Sequence, residues 1–235
     1  MREQKISVCM ATYNGENHIE EQLESILKQL KDNDEVIISD DGSSDKTIEL
    51  IKGFNDPRIK LFLNSFRNII LNFEFALSKA TGDFIFLSDQ DDIWYDNKVI
   101  IVVSLLQKYD LVYTNASVFN EIKEDNILFN KRKRNGYVLN YIKNYCLGAT
   151  MAFRSHILEY SLPFPKNIEM HDLWIYFLSE LYGKAYYYKE PLIYYRRHGL
   201  NASNSSGKTS NSLFKIIQIR LILLINLTKR AIRLL

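Results

Sequence analysis

Three carboxylates stand within four residues in Ser88-Asp89-Gln90-Asp91-Asp92. Crowded acids repel one another, and each raises the cost of ionising the next. A hard divalent cation cancels that repulsion. Mg2+ and Mn2+ favour carboxylate oxygens and keep positions open for water and a substrate diphosphate. Read alone, the run is equally an acidic loop without metal. Asp40-Asp41-Gly42-Ser43 is a second acidic cluster. One of its aspartates can accept from a pyrimidine ring N–H or ribose hydroxyls, or cap the helix that follows. His171-Asp172 opens another helix. Asp172 there either complements the positive helix end or takes a proton from an attacking hydroxyl as general base. Tyr195-Arg196-Arg197-His198 offers Arg196 to a phosphate and His198 to phosphate or metal. A lone histidine is more often structural.

The elements that must position these groups follow from periodicity. Apolar runs at Ile6 to Ala11, Glu35 to Ser39, Arg58 to Leu63 and Asp83 to Ser88 predict strands. Helical spacing marks His18 to Leu30, Lys46 to Phe54 and Asn68 to Ala80, the last ended by Thr81-Gly82. Strands alternating with helices predict an α/β fold with a mostly parallel central sheet and right-handed crossovers. Ligands in such sheets bind beyond the carboxyl ends of the strands. Thr12-Tyr13-Asn14, Asp40-Asp41 and Asp89 to Asp92 all fall there. Their convergence says more than any one motif.

The second half is less regular. Lys98 to Lys108 and His171 to Tyr182 read as helices; Leu111 to Phe119, Gly148 to Phe153, Ala185 to Tyr188 and Leu192 to Tyr195 read as strands. Lys131-Arg132-Lys133-Arg134 sits in a polar stretch, either a solvated loop or a contact for an anionic substrate or membrane. Leu200 to Asn211, rich in Ser, Asn and Gly, reads as a linker. Ser212 to Leu235 has five basic residues, no acid and many bulky apolar side chains. It predicts a basic helix that packs on the domain, joins two copies as a homodimer, or lies on anionic lipid.

Composition sets the outer limits. The 235 residues are 46% hydrophobic and 25% charged, enough for one large core. A net charge of +2 gives no argument for a nucleic-acid partner. Cys9 and Cys146 form no disulfide framework or zinc signature, which suits a reducing, cytoplasmic setting. Met1 to Lys5 leads straight into a strand without a signal peptide, and no apolar run reaches a membrane-spanning length. Neither a Gly-x-Gly-x-x-Gly turn nor a P-loop occurs, so a bound diphosphate must be held by metal and side chains.

Taken in order, these pieces resemble the family 2 glycosyltransferases with their GT-A fold. The likeness runs from about residue 5 to residue 200. It rests on Val8 to Asn14, Ser39 to Asp45, Asn68 with Asn72-Phe73, and Gly82 to Asp92. Ser88 to Trp94, His171-Asp172-Leu173-Trp174 and Tyr195 to Gly199 look most like bacterial rhamnosyltransferases of surface-polysaccharide assembly. The resemblance implies a GT-A domain over 1–211, with a Rossmann-like nucleotide-sugar half at about 1–119 and an acceptor-side half at 120–211, then a C-terminal helix at 212–235. It implies an inverting transfer, for example from dTDP-rhamnose or a UDP-hexose, to a saccharide or lipid-linked saccharide. The enzyme would work in the cytoplasm or at the inner face of the plasma membrane. Thr12, Tyr13, Asn14, Asp40, Asp41, Asn68, Asp89, Gln90 and Arg196 would bind the donor. Asp89 and Asp91, with His198 and Asp92 beside them, would hold Mg2+ or Mn2+. Asp172 would be the general base. Two positions depart from the family pattern: His171 replaces a Glu, and Asp96 stands where Pro is common. A non-catalytic nucleotide- or carbohydrate-binding subunit is the rival from another class.

Overall fold

The computed structural model describes residues 4–119, 126–128, 140–141, 146–197 and 212–234. The first half alternates as the periodicity predicts: β1 (Ile6–Thr12), α1 (Ile19–Leu27), β2 (Glu35–Asp40), α2 (Thr47–Gly53), β3 (Ile59–Leu63), α3 (Ile69–Ser78) and β4 (Phe84–Ser88). Then come β5 (Ile93–Trp94), α4 (Lys98–Leu106), β6 (Leu111–Phe119), β7 (Asn126–Ile127), β8 (Met151–Arg154), α5 (Ile157–Ser161), α6 (His171–Tyr182), β9 (Ala185–Arg196) and α7 (Leu213–Leu234). The sheet order is β3-β2-β1-β4-β8-β6-β9-β5, with β7 on β6. β1, β2, β3 and β4 are mutually parallel. β8 runs antiparallel between β4 and β6, β9 lies parallel to β6, and β5 is antiparallel to β9.

Strands β1, β2 and β4 are buried along their whole length, because helices cover both faces of the sheet. Side chains alternate between two cores with the period of two that a strand imposes. Val8 and Met10 of β1 join Ile19, Leu23 and Ile26 of α1 and Val102 and Leu106 of α4. Cys9 and Ala11 point the other way, to Phe73 and Ala76 of α3 and to Trp174 and Phe177 of α6. The chain moves outward from β1 to β3, then returns to pair β4 with β1's other edge. The crossovers therefore part between β1 and β4, where a crevice opens beyond the carboxyl ends.

At the opposite end of the strands, Glu35 ties the sheet together. Its carboxylate accepts from Ser7 Oγ at 2.5 Å, Lys5 Nζ at 3.0 Å, Lys60 Nζ at 2.5 Å and the Thr81 backbone N–H at 2.8 Å. Burial pushes this carboxyl up, but the hydrogen bonds from Lys60, Ser7, Thr81 and Lys5 outweigh it and bring it down to about 2.

Three expectations change in the second half. Gly148 to Thr150 forms a 3-10 turn, and strand β8 starts only at Met151. The two short strands expected at Ala185 to Tyr188 and Leu192 to Tyr195 are one strand. It continues through Lys189-Glu190-Pro191 because its register with β6 slips on either side of Asn115, which absorbs the proline. The two-residue strands β5 and β7 and the short helix α5 had no counterpart in the reading of periodicity. Lys131 to Arg134 lies outside the described residues.

Helix α7 packs one face on the domain. Leu223 and Leu227 are buried. Arg230 donates to the carbonyls of Tyr160 and Pro163 at 2.5 Å and of Leu162 at 3.1 Å. Its other side leaves Phe214, Ile217, Leu221 and Leu224 exposed. Among the described residues, no helix is long and apolar enough to cross a membrane.

Candidate active site

A cavity of about 690 Å3 opens where β1 and β4 end, lined by Thr12, Tyr13, Asp41, Asn68, Asp89, Gln90, Asp91 and Asp172 among others. Its size suits a small-molecule ligand. Loops following three different strands build one side of it. Gln90 straps two of them: Tyr13 N–H donates to its Oε1 at 2.9 Å, and its Nε2 donates to Tyr13 O at 3.0 Å. A Cβ on Gly15 would lie 2.6 Å from Gln90 Oε1, so a bare backbone there leaves room for the strap.

The two adjacent aspartates of the second cluster have separate fates. Asp40, at the last position of β2, is fully buried and does not reach the cavity. Its carboxylate accepts from Thr12 Oγ1 at 2.8 Å, Ser43 Oγ at 2.6 Å and the Ser43 backbone at 2.8 Å. It shapes the turn. Asp41 faces the cavity and accepts the Arg67 and Asn68 backbone N–H groups, each at 2.8 Å. A carboxylate has about four acceptor positions, so Asp41 keeps capacity for a ligand. Asn68 caps α3, its Oδ1 accepting from Ile70 N at 2.9 Å and Leu71 N at 3.2 Å. Asn14 stays off the cavity: it sits at φ 47°, accepts from Ser44 N at 2.8 Å and donates its own N–H to Ser43 Oγ at 2.9 Å.

Carboxylate oxygens of Asp89, Asp91 and Asp92 all lie within 4.8 Å of one another. Burial, then the Asp91 and Asp172 charges, pushes Asp89 up to about 7. Burial, then Asp91 and Asp89, holds Asp92 well above the usual carboxylate range. Asp89 and Asp91 face the cavity; Asp92 lies behind them, and its Oδ2 is buried without a hydrogen-bond partner. An orphaned buried oxygen beside two other hard oxygen donors fits a divalent cation. Arg196 braces this loop from behind and is not part of the cavity wall. Its Nε donates to Asp91 O at 2.9 Å, its backbone N–H to Asp92 Oδ1 at 3.1 Å, and its guanidinium pairs with Glu21 at 2.6 Å. His198 lies outside the described residues.

Asp172 reaches the same cavity from the first turn of α6. Burial pushes its carboxyl up to about 6, against the Leu173 and Gly148 backbone N–H groups and the Arg220 charge, which pull it down. His171 stacks on Phe73 with ring centroids 4.3 Å apart. Burial pushes its imidazole down to about 4, so it is neutral in ordinary buffers.

Two residues at this site escaped the reading of the sequence. Lys98 opens α4 yet is fully buried, its Nζ 3.9 Å from the centre of the Trp94 ring and donating to Ala149 O at 3.0 Å. Burial pushes it down to about 7, against the pull of Asp92 and Asp89. Arg220, on α7, carries buried Nε and Nη1 atoms without hydrogen-bond partners and acts electrostatically on Asp172. Each joins segments far apart in the chain, and local spacing holds no trace of such a meeting.

Residues 7–161 match the family described as Glycosyl transferase family 2. The chain belongs to glycosyltransferase family 2. This family 2 enzyme is 31% identical over 191 residues to an Escherichia coli protein named UDP-Glc:alpha-D-GlcNAc-diphosphoundecaprenol beta-1,3-glucosyltransferase WfgD, covering 74% of this chain and 70% of the relative. It is 39% identical over 120 residues to the Shigella flexneri dTDP-rhamnosyl transferase RfbG, covering 47% of this chain and 39% of that one. Among solved structures, S. aureus TarS 1-349 in complex with UDP-GlcNAc superposes with a TM-score of 0.73 at 20% identity, over 94% of this chain and 67% of that one. The GT-A fold and the glycosyltransferase class expected from the motifs both hold.

Proposed function

We propose that this family 2 enzyme transfers a sugar from a pyrimidine-nucleotide donor to a saccharide or lipid-linked saccharide hydroxyl, with inversion and with Mg2+ or Mn2+. The observation that carries the reading is one cavity shared by three groups: Asp41, the Asp89–Asp91 pair and the buried Asp172. Asp41 receives the ring N–H of uracil or thymine, with Tyr13 and Asn68 as neighbouring walls. Asp89 and Asp91 hold the cation, with Asp92 behind them. When bound, that ion would neutralise charge developing on the leaving diphosphate. Asp172 takes the acceptor proton as the new bond forms, since a raised carboxyl is a stronger base than an ordinary one. With Asp41 given to the nucleobase and Asp89 and Asp91 to the cation, Asp172 is the acid of the described cavity wall left for the acceptor, and a single base implies one displacement and an inverted anomeric centre. Residues 1–119 supply most of the donor side, 120–211 the acceptor side and 212–235 the outer helix.

The donor is dTDP-rhamnose in this reading, supported by the higher identity to the Shigella enzyme, 39% over 120 residues. The longer match to the Escherichia coli enzyme favours UDP-glucose. Nucleotide release from a panel of dTDP- and UDP-sugars with Mn2+, followed by linkage analysis of the product, separates the two. Donor binding with neither hydrolysis nor transfer across the panel would leave a non-catalytic binding subunit instead.

The outer face of α7 rests on anionic lipid at the membrane's inner surface in this reading. The support is the exposed Phe214, Ile217, Leu221 and Leu224 on a helix with no acidic residue. Sedimentation with anionic vesicles should fall when Ile217 and Leu221 become Ser. Unchanged sedimentation removes the membrane reading, and a concentration-dependent dimer puts a second copy in its place.

A further inference from the structure

Helix α6 carries Asp172 in its first turn yet starts without a side-chain cap: Met170 stands at the cap position and offers no acceptor oxygen. Its start is fixed from outside. Helix α7 grips the segment that leads into it. Lys215 pairs with Glu169, Asn226 Nδ2 donates to Asn167 Oδ1 at 2.9 Å, and Arg230 donates to the carbonyls of Tyr160, Leu162 and Pro163. Leu223 and Leu227 join Ile168 and Leu173 in one apolar cluster. These α7 residues stand at spacings that a helix stacks on one face.

Arg230 makes the broadest of these contacts. Besides serving three backbone carbonyls, its guanidinium lies 5.2 Å from the centre of the Trp174 ring. Trp174 is fully buried two residues after Asp172, and its indole N–H donates to Ser161 O at 2.9 Å. One side chain thus ties the lead-in segment to the first turn of α6. The far side of that segment is held by α3: Phe164 N–H donates to Glu74 Oε1 at 3.0 Å, and the Phe164 ring lies 6.5 Å from that of His171. Asp41, Asp89 and Asp91 stand on loops after β2 and β4, which none of these Arg230 contacts reaches.

We propose that Arg230 is a positioning residue for the transfer: it fixes the start of α6 and so sets where Asp172 stands in the cavity. The proposal rests on reading Asp172 as the base. Misplacing a reacting group by about 1 Å costs roughly a hundredfold in rate. Loss of Arg230 should therefore lower kcat, while nucleotide binding, which in this reading uses Asp41 and the Asp89–Asp91 pair, stays as it was. A residue that served overall stability alone would weaken both.

The test is nucleotide release with Mn2+ from the dTDP- or UDP-sugar that the parent uses best, alongside calorimetric binding of UDP and dTDP. Rates are read well below each variant's melting temperature. Arg230→Met keeps the stem beside Trp174 and removes the hydrogen-bond donors; Arg230→Lys keeps the charge and can still serve a carbonyl. Arg230→Met should lose about tenfold to a hundredfold in kcat, with nucleotide affinity within about twofold of the parent. Arg230→Lys should recover part of the loss, and Lys229→Ala, an exposed change next to it, should alter neither quantity. In Asp172→Asn there is no base left to misplace, so adding Arg230→Met should cost less than about twofold. Where Arg230→Met does not fold, Arg230→Lys carries the same comparison with a smaller loss. Parent-like kcat in Arg230→Met, an equal loss in both backgrounds, or nucleotide affinity falling along with kcat overturns the role of Arg230. Parent-like turnover in Asp172→Asn alone, or no release by the parent from any sugar of the panel, would instead overturn the base on which it rests.

Discussion

The displaced carboxyl of Asp172 makes a quantitative claim about pH. Its ordinary value of 3.8 is pushed to about 6 by burial. A base acts only when deprotonated. With a value of 6, about 9% of Asp172 is ionised at pH 5 and about 91% at pH 7. Turnover limited by this base should therefore rise roughly tenfold over that interval. A carboxyl left at 3.8 would be about 94% ionised at pH 5 and the profile would be nearly flat. His171 contributes nothing to the limb, because it is already neutral above pH 5. Asp89 titrates near 7 without metal, so each point needs saturating Mn2+, which holds it ionised. The assay is nucleotide release, as kcat/KM between pH 5 and 8, in the parent and in Asp172→Asn. The variant should lose about 10²–10⁴ in rate, and what remains should show no limb near pH 6. A flat parent profile, or the same limb in Asp172→Asn, would refute the assignment of the base.

Four further outcomes test neighbouring parts. Arg220→Gln removes a charge that holds Asp172 down, so the acid limb of the pH profile should move above 6 while melting temperature changes little. Arg196→Met frees the Asp91 carbonyl and the guanidinium's tie to Glu21; Mn2+ affinity measured by calorimetry should fall several-fold. Glu35→Gln should cost about 1–3 kcal/mol in urea unfolding at pH 7. Because its folded value lies below its ordinary 4.5, that contribution is present above pH 4.5 and is lost as pH falls toward 2, so the gap between variant and parent should close in acid. Gly82→Ala would place a Cβ 2.6 Å from the Ser7 backbone nitrogen, and the clash should lower stability by about 1–3 kcal/mol in the same assay.

The first four strands and three helices were legible because each is a continuous local signal: the parallel strands are short, largely apolar runs, and the helices between them repeat at 3.6 residues. The strand-end clusters were legible for the same reason, as a polar stretch after such a run has to leave the sheet. What spacing left open was which of two neighbouring acids faces the ligand. Asp40 takes its donors from Thr12 and Ser43 and Asp41 from Arg67 and Asn68, and apart from Ser43 those partners come from other segments of the chain. Lys98 looked like any lysine opening a helix, because the Trp94 ring and the Ala149 carbonyl that bury it are brought in by folding. Strand β9 read as two pieces because Pro191 interrupts a local pattern, whereas the slipped register that accommodates it belongs to β6.

The strand-end loops on this side of the cavity are held by one another. Gln90 grips Tyr13, Asn14 grips Ser43 and Ser44, Asp45 accepts the Glu16 N–H while the Glu16 carboxylate accepts the Lys46 N–H, and Asp41 grips Arg67 and Asn68. Such a ring of reciprocal clasps has no member that can lengthen or drift alone; a one-residue insertion in any loop unfastens its neighbour as well. Diversification of this scaffold is thereby channelled. Changes that respect the ring are single side-chain exchanges on the cavity wall, and larger remodelling is left to the segments beyond β6, where the described loops do not interlock this way. The clasped loops make this side of the cavity the part of the molecule least tolerant of insertion and leave the segments beyond β6 freer to change.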